Sequence, residues 1–411
     1  MRELLLITEA FESLKADGKP AALATVVNVE GSAYRRPGAR MLIAEDGRTW
    51  GGVSGGCLER DVVRRGISAI DTGKTTVVRY DTSDDEQLSG GVATGCGGTI
   101  EVLIQPITAE QAGALPLLAD VLSTRQSRMV ATLVRTPSKF EASRGMSLAR
   151  YAGRGQGEGF VAAGGVRAIE QNPHPNPLPA YREREQEQSL ADAADAAFAM
   201  WAGSSRLISV ETSHGPFSFL VEQIQPPQRL VIFGAGPDVV PVVDIAKTLG
   251  WHVTVVATRP ATHAAARFAS ADAVCVTGAD EPVAGVEISS DSAVVLMTHN
   301  VARDARILLG LPGRPRYLGI LGPRHRTQKL LRDVPAIDPE PVYSPVGLDL
   351  GAETPEEIAL AIVAEIQAAL RDASSGSLRD SPGPIHADSP RADPRTDDKQ
   401  SPPGRTVSCP L

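Results

Sequence analysis

The chain has 411 residues, a formal net charge of −8, 42% hydrophobic and 22% charged residues, and only 4% aromatics. That balance describes a soluble globular protein of two or three ordinary domains. It argues against a nucleic-acid binder, which needs a basic stripe or stacking aromatics.

In chain order, MRELLLITEAFESLKADGKP reads as an amphipathic first helix, too acidic and too briefly apolar for a signal peptide. No apolar run approaches the roughly 20 residues of a membrane-spanning helix. AALATVVNVEGS and MLIAEDGRTWGGV read as strands, and CLERDVVRRGISAIDTG as a helix. KTTVVRYD and TIEVLIQPI are strands, QAGALPLLADVLSTRQ is a helix, and MVATLVRTP is again a strand. From 137 to 190 the rhythm fails, and the four prolines of NPHPNPLP followed by dense charge suggest a low-complexity, disordered insertion. ADAADAAFAMWAG and FSFLVEQIQPP, a helix and a strand, then complete an N-terminal domain of mixed α+β type. Its two segments are 1–136 and 191–225.

Residues 228–371 alternate strand and helix strictly: RLVIFGAG, PDVVPVVDIAKTLG, WHVTVVATRP, ADAVCVTG, SAVVLMTHN, YLGILGP. Continuous apolar runs of this kind predict strands buried on both faces of a doubly wound parallel sheet, a Rossmann-like domain. Thr354, Pro355 and Glu357 open the last helix with a capping box, and Ile358, Ile362, Ile366 and Leu370 form its buried stripe. Residues 372–411 are expected to be a disordered tail.

Four scattered cysteines and no CxxC argue against a disulfide framework or a structural zinc, and fit a reducing cytoplasm. Two cysteines are wrapped in glycine. In SGGCLE, Ser54, Gly55, Gly56, Cys57 and Glu59 lie just ahead of a helix; in TGCGG, Gly95, Cys96 and Gly97 precede a strand. A glycine-rich helix entrance makes an anion nest, and the positive helix end favours the thiolate of a thiol placed there. Glu59 would accept hydrogen bonds from a ligand or move a proton. The competing reading is that each cysteine is a small apolar residue in a tight turn. Cys275, inside AVCVTG, reads as core.

The turn GAGPDV has the setting of a dinucleotide fingerprint, with Gly234 for the turn and Gly236 for close phosphate approach. Val239 replaces its third glycine, and Ala257 stands where an acid would hold a ribose, with Arg259 nearby. An ordinary NAD(P) site is therefore disfavoured. His299, Asn300 and Asp304 fall at one strand mouth, and Gly322, Arg324, His325 and Arg326 at the next, where an anionic ligand would sit. A helix cap explains Asn300 but not His299, and a solvated basic face is an equal alternative for the turn at Arg324, His325 and Arg326.

Taken together, SGGCLE, GCGG, FGAG, MTHN with Asp304, GILGPR and SPVGLDLGAETPEEIA resemble the XdhC/CoxI family. The resemblance implies an accessory protein that binds the molybdenum cofactor (molybdopterin with molybdenum). Such a protein supports the cofactor's sulfuration with a cysteine desulfurase and inserts it into a molybdenum hydroxylase apo-subunit. It implies a cytoplasmic homodimer and makes Cys57 and Cys96 candidates for transient molybdenum contact. The alternative is an NAD(P)-dependent oxidoreductase built on the C-terminal domain.

Overall fold

The computed structural model describes residues 2–81, 98–108, 111–137, 145–150, 160–162, 180–258, 264–334 and 342–380. The chain divides into two units, 1–375 and 376–411. In the second, the described residues hold one short 3-10 turn, Leu378–Asp380.

The N-terminal part opens with α1 (Arg2–Ala16), which buries Ile7, Phe11 and Leu14 at helical spacing. β1 (Ala21–Gly31), β2 (Arg40–Ala44) and β3 (Thr49–Gly51) follow, then α2 (Glu59–Thr72), β4 (Thr76–Asp81) and β5 (Gly98–Ile107). Their sheet runs β3-β2-β1-β5-β4, antiparallel throughout. α1 packs with Leu23, Leu42 and Trp50 on one face. α2 closes the other face, burying Val62 and Ala69 with Ala22, Ala24, Met41 and Ile43. The stretch expected as one strand at MLIAEDGRTWGGV is a hairpin. Gly47, at φ +82°, turns the chain between β2 and β3.

α3 (Leu115–Thr124) leads to a second antiparallel sheet of β6 (Arg128–Arg135), β7 (Ser147–Arg150), β8 (Phe160–Ala162), β9 (Arg206–Thr212) and β10 (Gly215–Ile224). α4 (Ala180–Ala199) lies between β8 and β9 in the chain, and the sheet order is β8-β7-β6-β10-β9. Within 137–190, this corrects the expectation of disorder for the described residues 145–150, 160–162 and 180–190. β7 pairs with β6 and buries Leu148 and Ala149, while the polar run after Pro179 carries helix-forming Glu, Gln and Arg that extend α4 backwards. Strands of three or four residues leave no readable period, so β7 and β8 were invisible in the sequence. The proline run at 173–179 lies outside the described residues.

The C-terminal part contains β11 (Arg229–Phe233), α5 (Val239–Thr248), β12 (His252–Thr258), α6 (Ala264–Arg267) and β13 (Ala273–Thr277). β14 (Ala293–Leu296), α7 (Val301–Gly310), β15 (Tyr317–Ile320), α8 (Arg324–Asp333), β16 (Val342–Tyr343) and α9 (Pro355–Leu370) complete it. All six strands are parallel, in the order β13-β12-β11-β14-β15-β16. The Rossmann-like expectation holds. α5 and α9 cover one face around Val242, Val255, Ile362 and Ile366, while Ile307, Leu308 and Leu330 cover the other. Thr354 caps α9 in the expected box with Glu357. The preceding loop is held by Glu365, whose Oε2 accepts from the Gly347 N–H (2.9 Å) and from the Tyr317 hydroxyl (2.5 Å). Cys275 departs from expectation. It lies on the edge strand β13, only partly buried against the core.

Candidate functional site

The glycine loop between β3 and α2 answers to the protein's own side chains at nearly every position. A Cβ at Gly51 (φ +81°) would stand 2.4 Å from the Arg40 carbonyl oxygen, and the Gly52 N–H donates to Glu3 Oε1 (3.0 Å). Ser54, buried, donates its N–H to Glu59 Oε1 (2.8 Å) and its hydroxyl to Glu59 Oε2. Ser54 Oγ in turn accepts from the N–H groups of Gly56 and Leu58, each at 3.1 Å. Burial pushes the Glu59 carboxyl up. The hydrogen bonds from Ser54, and from the Glu59 and Val53 backbone, outweigh it and hold the group below its ordinary value. Glu59 is thus a committed carboxylate that ties the loop to the first turn of α2.

This corrects the picture of an open anion nest. The N–H groups of Gly52, Ser54, Gly56 and Leu58 are taken by Glu3, Glu59 and Ser54. What the loop leaves outward is Cys57, which is exposed one residue before the α2 cap at Leu58. Gly56 has φ +115° and open space where a side chain would stand. Gly55 serves a neighbour that the sequence reading missed. The ring of Tyr34 lies against it, such that a Cβ there would meet Cγ at 3.3 Å and both Cδ atoms at 3.5 Å. Those near-equal distances place the ring face-on, and Tyr34 is still 68% exposed. A lone tyrosine in a loop carries no periodic signal, so only the fold could bring it to Gly55. Gly95, Cys96 and Gly97 lie outside the described residues.

The second cluster sits at the C-terminal ends of β11 and β14, where the strand order reverses. Gly234 (φ +140°) is obligatory because a Cβ would come within 2.3 Å of the Met297 carbonyl oxygen. Gly236 faces Asp238, whose Oδ1 would be 2.3 Å from a Cβ there. His299 adopts φ +55°, and its Nε2 lies 3.1 Å from Asp238 Oδ2. Asn300 is the N-cap of α7, accepting from the Arg303 N–H at 3.0 Å. Capping therefore accounts for it.

Asp304 does not face a ligand. It is fully buried, accepts from the Thr298 hydroxyl, and pairs with Arg326 Nη2 at 2.6 Å. Burial raises its carboxyl above the ordinary value, against the Thr298 hydrogen bond and the Arg326 charge. Arg326 also donates Nη1 to the Leu321 carbonyl (2.7 Å) beneath Gly322 (φ +117°), so this arginine braces two strand ends. Arg324 and His325 are exposed on the first turn of α8. Among the described residues no group of three or more His, Cys, Asp or Glu could hold a metal, and no helix is long and apolar enough to cross a membrane.

Comparison with known proteins matches both halves of this architecture. Residues 14–81 fit the model of the XdhC and CoxI family, and residues 230–366 that of the XdhC Rossmann domain. The chain is 32% identical over 365 residues to a probable xanthine dehydrogenase subunit from Bacillus subtilis (strain 168), spanning 86% of this chain and 94% of that one. It is 33% identical over 121 residues to the molybdenum cofactor insertion chaperone PaoD of Escherichia coli (strain K12), 29% of this chain and 36% of PaoD. A crystal structure described as a xanthine dehydrogenase from Bacillus halodurans superposes with a TM-score of 0.68 at 30% identity, covering 92% and 98% of the two chains. Near-complete coverage in sequence and in fold, with the glycine loop and the parallel sheet each inside a matched segment, places the chain in the XdhC and CoxI family.

Proposed function

We propose that this chain is a xanthine dehydrogenase accessory protein that carries the molybdenum cofactor and delivers it to a molybdenum hydroxylase apo-subunit. The observation that carries the reading is Cys57, an exposed thiol on a loop stapled at Ser54 and Glu59. A carrier needs a soft donor that holds and releases its cargo, and an accessible thiol on a pre-organised loop supplies one. The open space over Gly56 admits the cargo, and the face of Tyr34 away from Gly55 offers a flat surface for a fused heteroaromatic ring. Relatives named for cofactor insertion and for xanthine dehydrogenase support the same reading.

Sulfuration with a cysteine desulfurase, a homodimeric state, a cytoplasmic setting and a part for Cys96 belong to this proposal. The division into an N-terminal domain, residues 1–136 with 191–225, and a C-terminal domain, 228–371, belongs to it as well. Pterin content tests it. The protein, expressed in cells that make molybdopterin, is purified and oxidised, and its pterin fluorescence is quantified for wild type and Cys57→Ala. Substantial pterin in the wild type that falls at least about tenfold in the variant supports a cofactor carrier working through this loop. A wild type without pterin when cofactor is in excess rejects it.

A further inference from the structure

The Rossmann-like fold implies a dinucleotide at the turn between β11 and α5, and the residues present do not fit one. We propose that this crevice is occupied by the chain's own carboxylate. Asp238 holds the anion position at the start of α5, latched by His299, and this excludes the pyrophosphate of a dinucleotide.

Four observations converge. In a dinucleotide turn the second glycine is bare so that a phosphate can approach its backbone. Here Asp238 Oδ1 lies over that glycine, 2.3 Å from where a Cβ of Gly236 would stand. Asp238 sits just before α5 with helical backbone angles (φ −66°, ψ −18°) and makes no side-chain bond to the helix N–H groups, which leaves its carboxylate free for a partner across the crevice. Its Oδ2 is engaged across the switch point by His299 Nε2 at 3.1 Å. His299 makes that reach from the left-handed region, φ +55°, a conformation in which a non-glycine residue stays only when its surroundings hold it.

The rest of the site is consistent with closure. Val239, in place of the third glycine, is wholly buried in the core with Val242 and Val255, and Ala257, where a ribose-binding acid would project, is 1% exposed. Arg267 Nη1 donates to the Ala235 carbonyl at 2.8 Å, so this basic group beside the turn already has a protein partner. A phosphate arriving at α5 would meet a fixed negative charge where it needs bare backbone N–H groups. Asp238 and His299 belong to the C-terminal parallel sheet and its helices, and their pairing does not involve Cys57.

Isothermal titration of the full chain with inorganic pyrophosphate and with NAD+ tests it. Wild type is expected to show no saturable binding of either in the low millimolar range. Asp238→Ala, at a side chain partly open to solvent, should bind pyrophosphate at least about tenfold more tightly than wild type. His299→Ala, which removes an exposed imidazole and frees the carboxylate to swing away, should give a smaller gain in the same direction. Thermal melts of both variants confirm folding, and His299→Ala carries the test alone if Asp238→Ala is unstable. Saturable NAD+ binding by wild type, or no gain of pyrophosphate binding in a folded variant, overturns the proposal.

Discussion

The glycine loop is founded on a buried ion pair, and breaking that pair has a calculable cost. Arg40 on β2 donates Nη1 to Glu222 Oε2 on β10 at 3.1 Å and Nη2 to Oε1, joining the two antiparallel sheets. The two side chains are only 2% and 5% exposed, and Arg40 Nε has no hydrogen-bond partner. Glu222→Leu therefore strands a desolvated guanidinium, and Arg40→Met strands a carboxylate. Each should lower stability by about 3–5 kcal/mol, whereas the double variant, which buries neither charge, should lie within about 1–2 kcal/mol of wild type. Urea unfolding, followed by circular dichroism with the slope compared among all four proteins, closes this double-mutant cycle. With a slope of about 2–3 kcal/mol/M, the single variants should lose roughly 1–2 M in midpoint. The effect extends to the site, because the Arg40 carbonyl accepts from Gly52 N–H at 2.9 Å and its Nη1 also holds the Gly38 carbonyl at 2.8 Å. Single variants that each cost less than about 1 kcal/mol would refute the claim that this pair is desolvated and structural.

Two further predictions separate supporting residues from cargo-contacting ones. Glu59 is held below its ordinary value, so its contribution is complete above the unfolded-state value of about 4.3 and is lost as pH falls through the folded value. Glu59→Gln should cost about 1 kcal/mol at neutral pH once solvent screening is allowed for, and the difference from wild type should shrink below about pH 4. A difference that is flat across the acid range counts against the staple. Asp304→Ala leaves Arg326 without its carboxylate beside a buried strand end, and should lower stability by about 2–4 kcal/mol. Pterin per folded molecule should stay unchanged, and a specific loss of pterin at preserved stability would return Asp304 to the binding site.

The elements that could be read from sequence are those whose burial imposes a period. The parallel sheet was legible because its central strands β11, β12, β14 and β15 are buried almost throughout, and α9 because Thr354, Pro355 and Glu357 announce its first turn. β7, β8 and β16 are too short to carry a period, and β9 is mostly solvated, so neither kind left a signal. At the site, the residue types of the SGGC loop were legible but their assignments were not. Whether a glycine's N–H faces a ligand or Glu3 depends on α1, which lies some fifty positions earlier in the chain. Asp304 illustrates the same limit. One turn into a helix at a strand mouth it looks ligand-facing, and only the arrival of Arg326 from α8 turns it into a brace. Tyr34 against Gly55 and Asp238 over Gly236 are juxtapositions that no spacing rule encodes.

These misplaced assignments share one cause, and it bears on what the protein can hold. Both glycine turns look like anion sites, and at both the chain supplies the anion: Glu3 and Glu59 at the first, Asp238 at the second. At the first turn the N–H groups bonded to these carboxylates have little affinity left for a diffusing phosphate, and at either turn a phosphate would bring a second negative charge to the same spot. The first turn nevertheless differs from the second in what remains. There the carboxylates are satisfied within the loop, and a thiol and an aromatic face stay exposed beside it. At the second, the histidine that could have met a ligand is itself consumed in the latch. Under the proposed function, that asymmetry would leave the Cys57 thiol and the Tyr34 ring, rather than bare backbone N–H groups, to meet the cargo at the first turn.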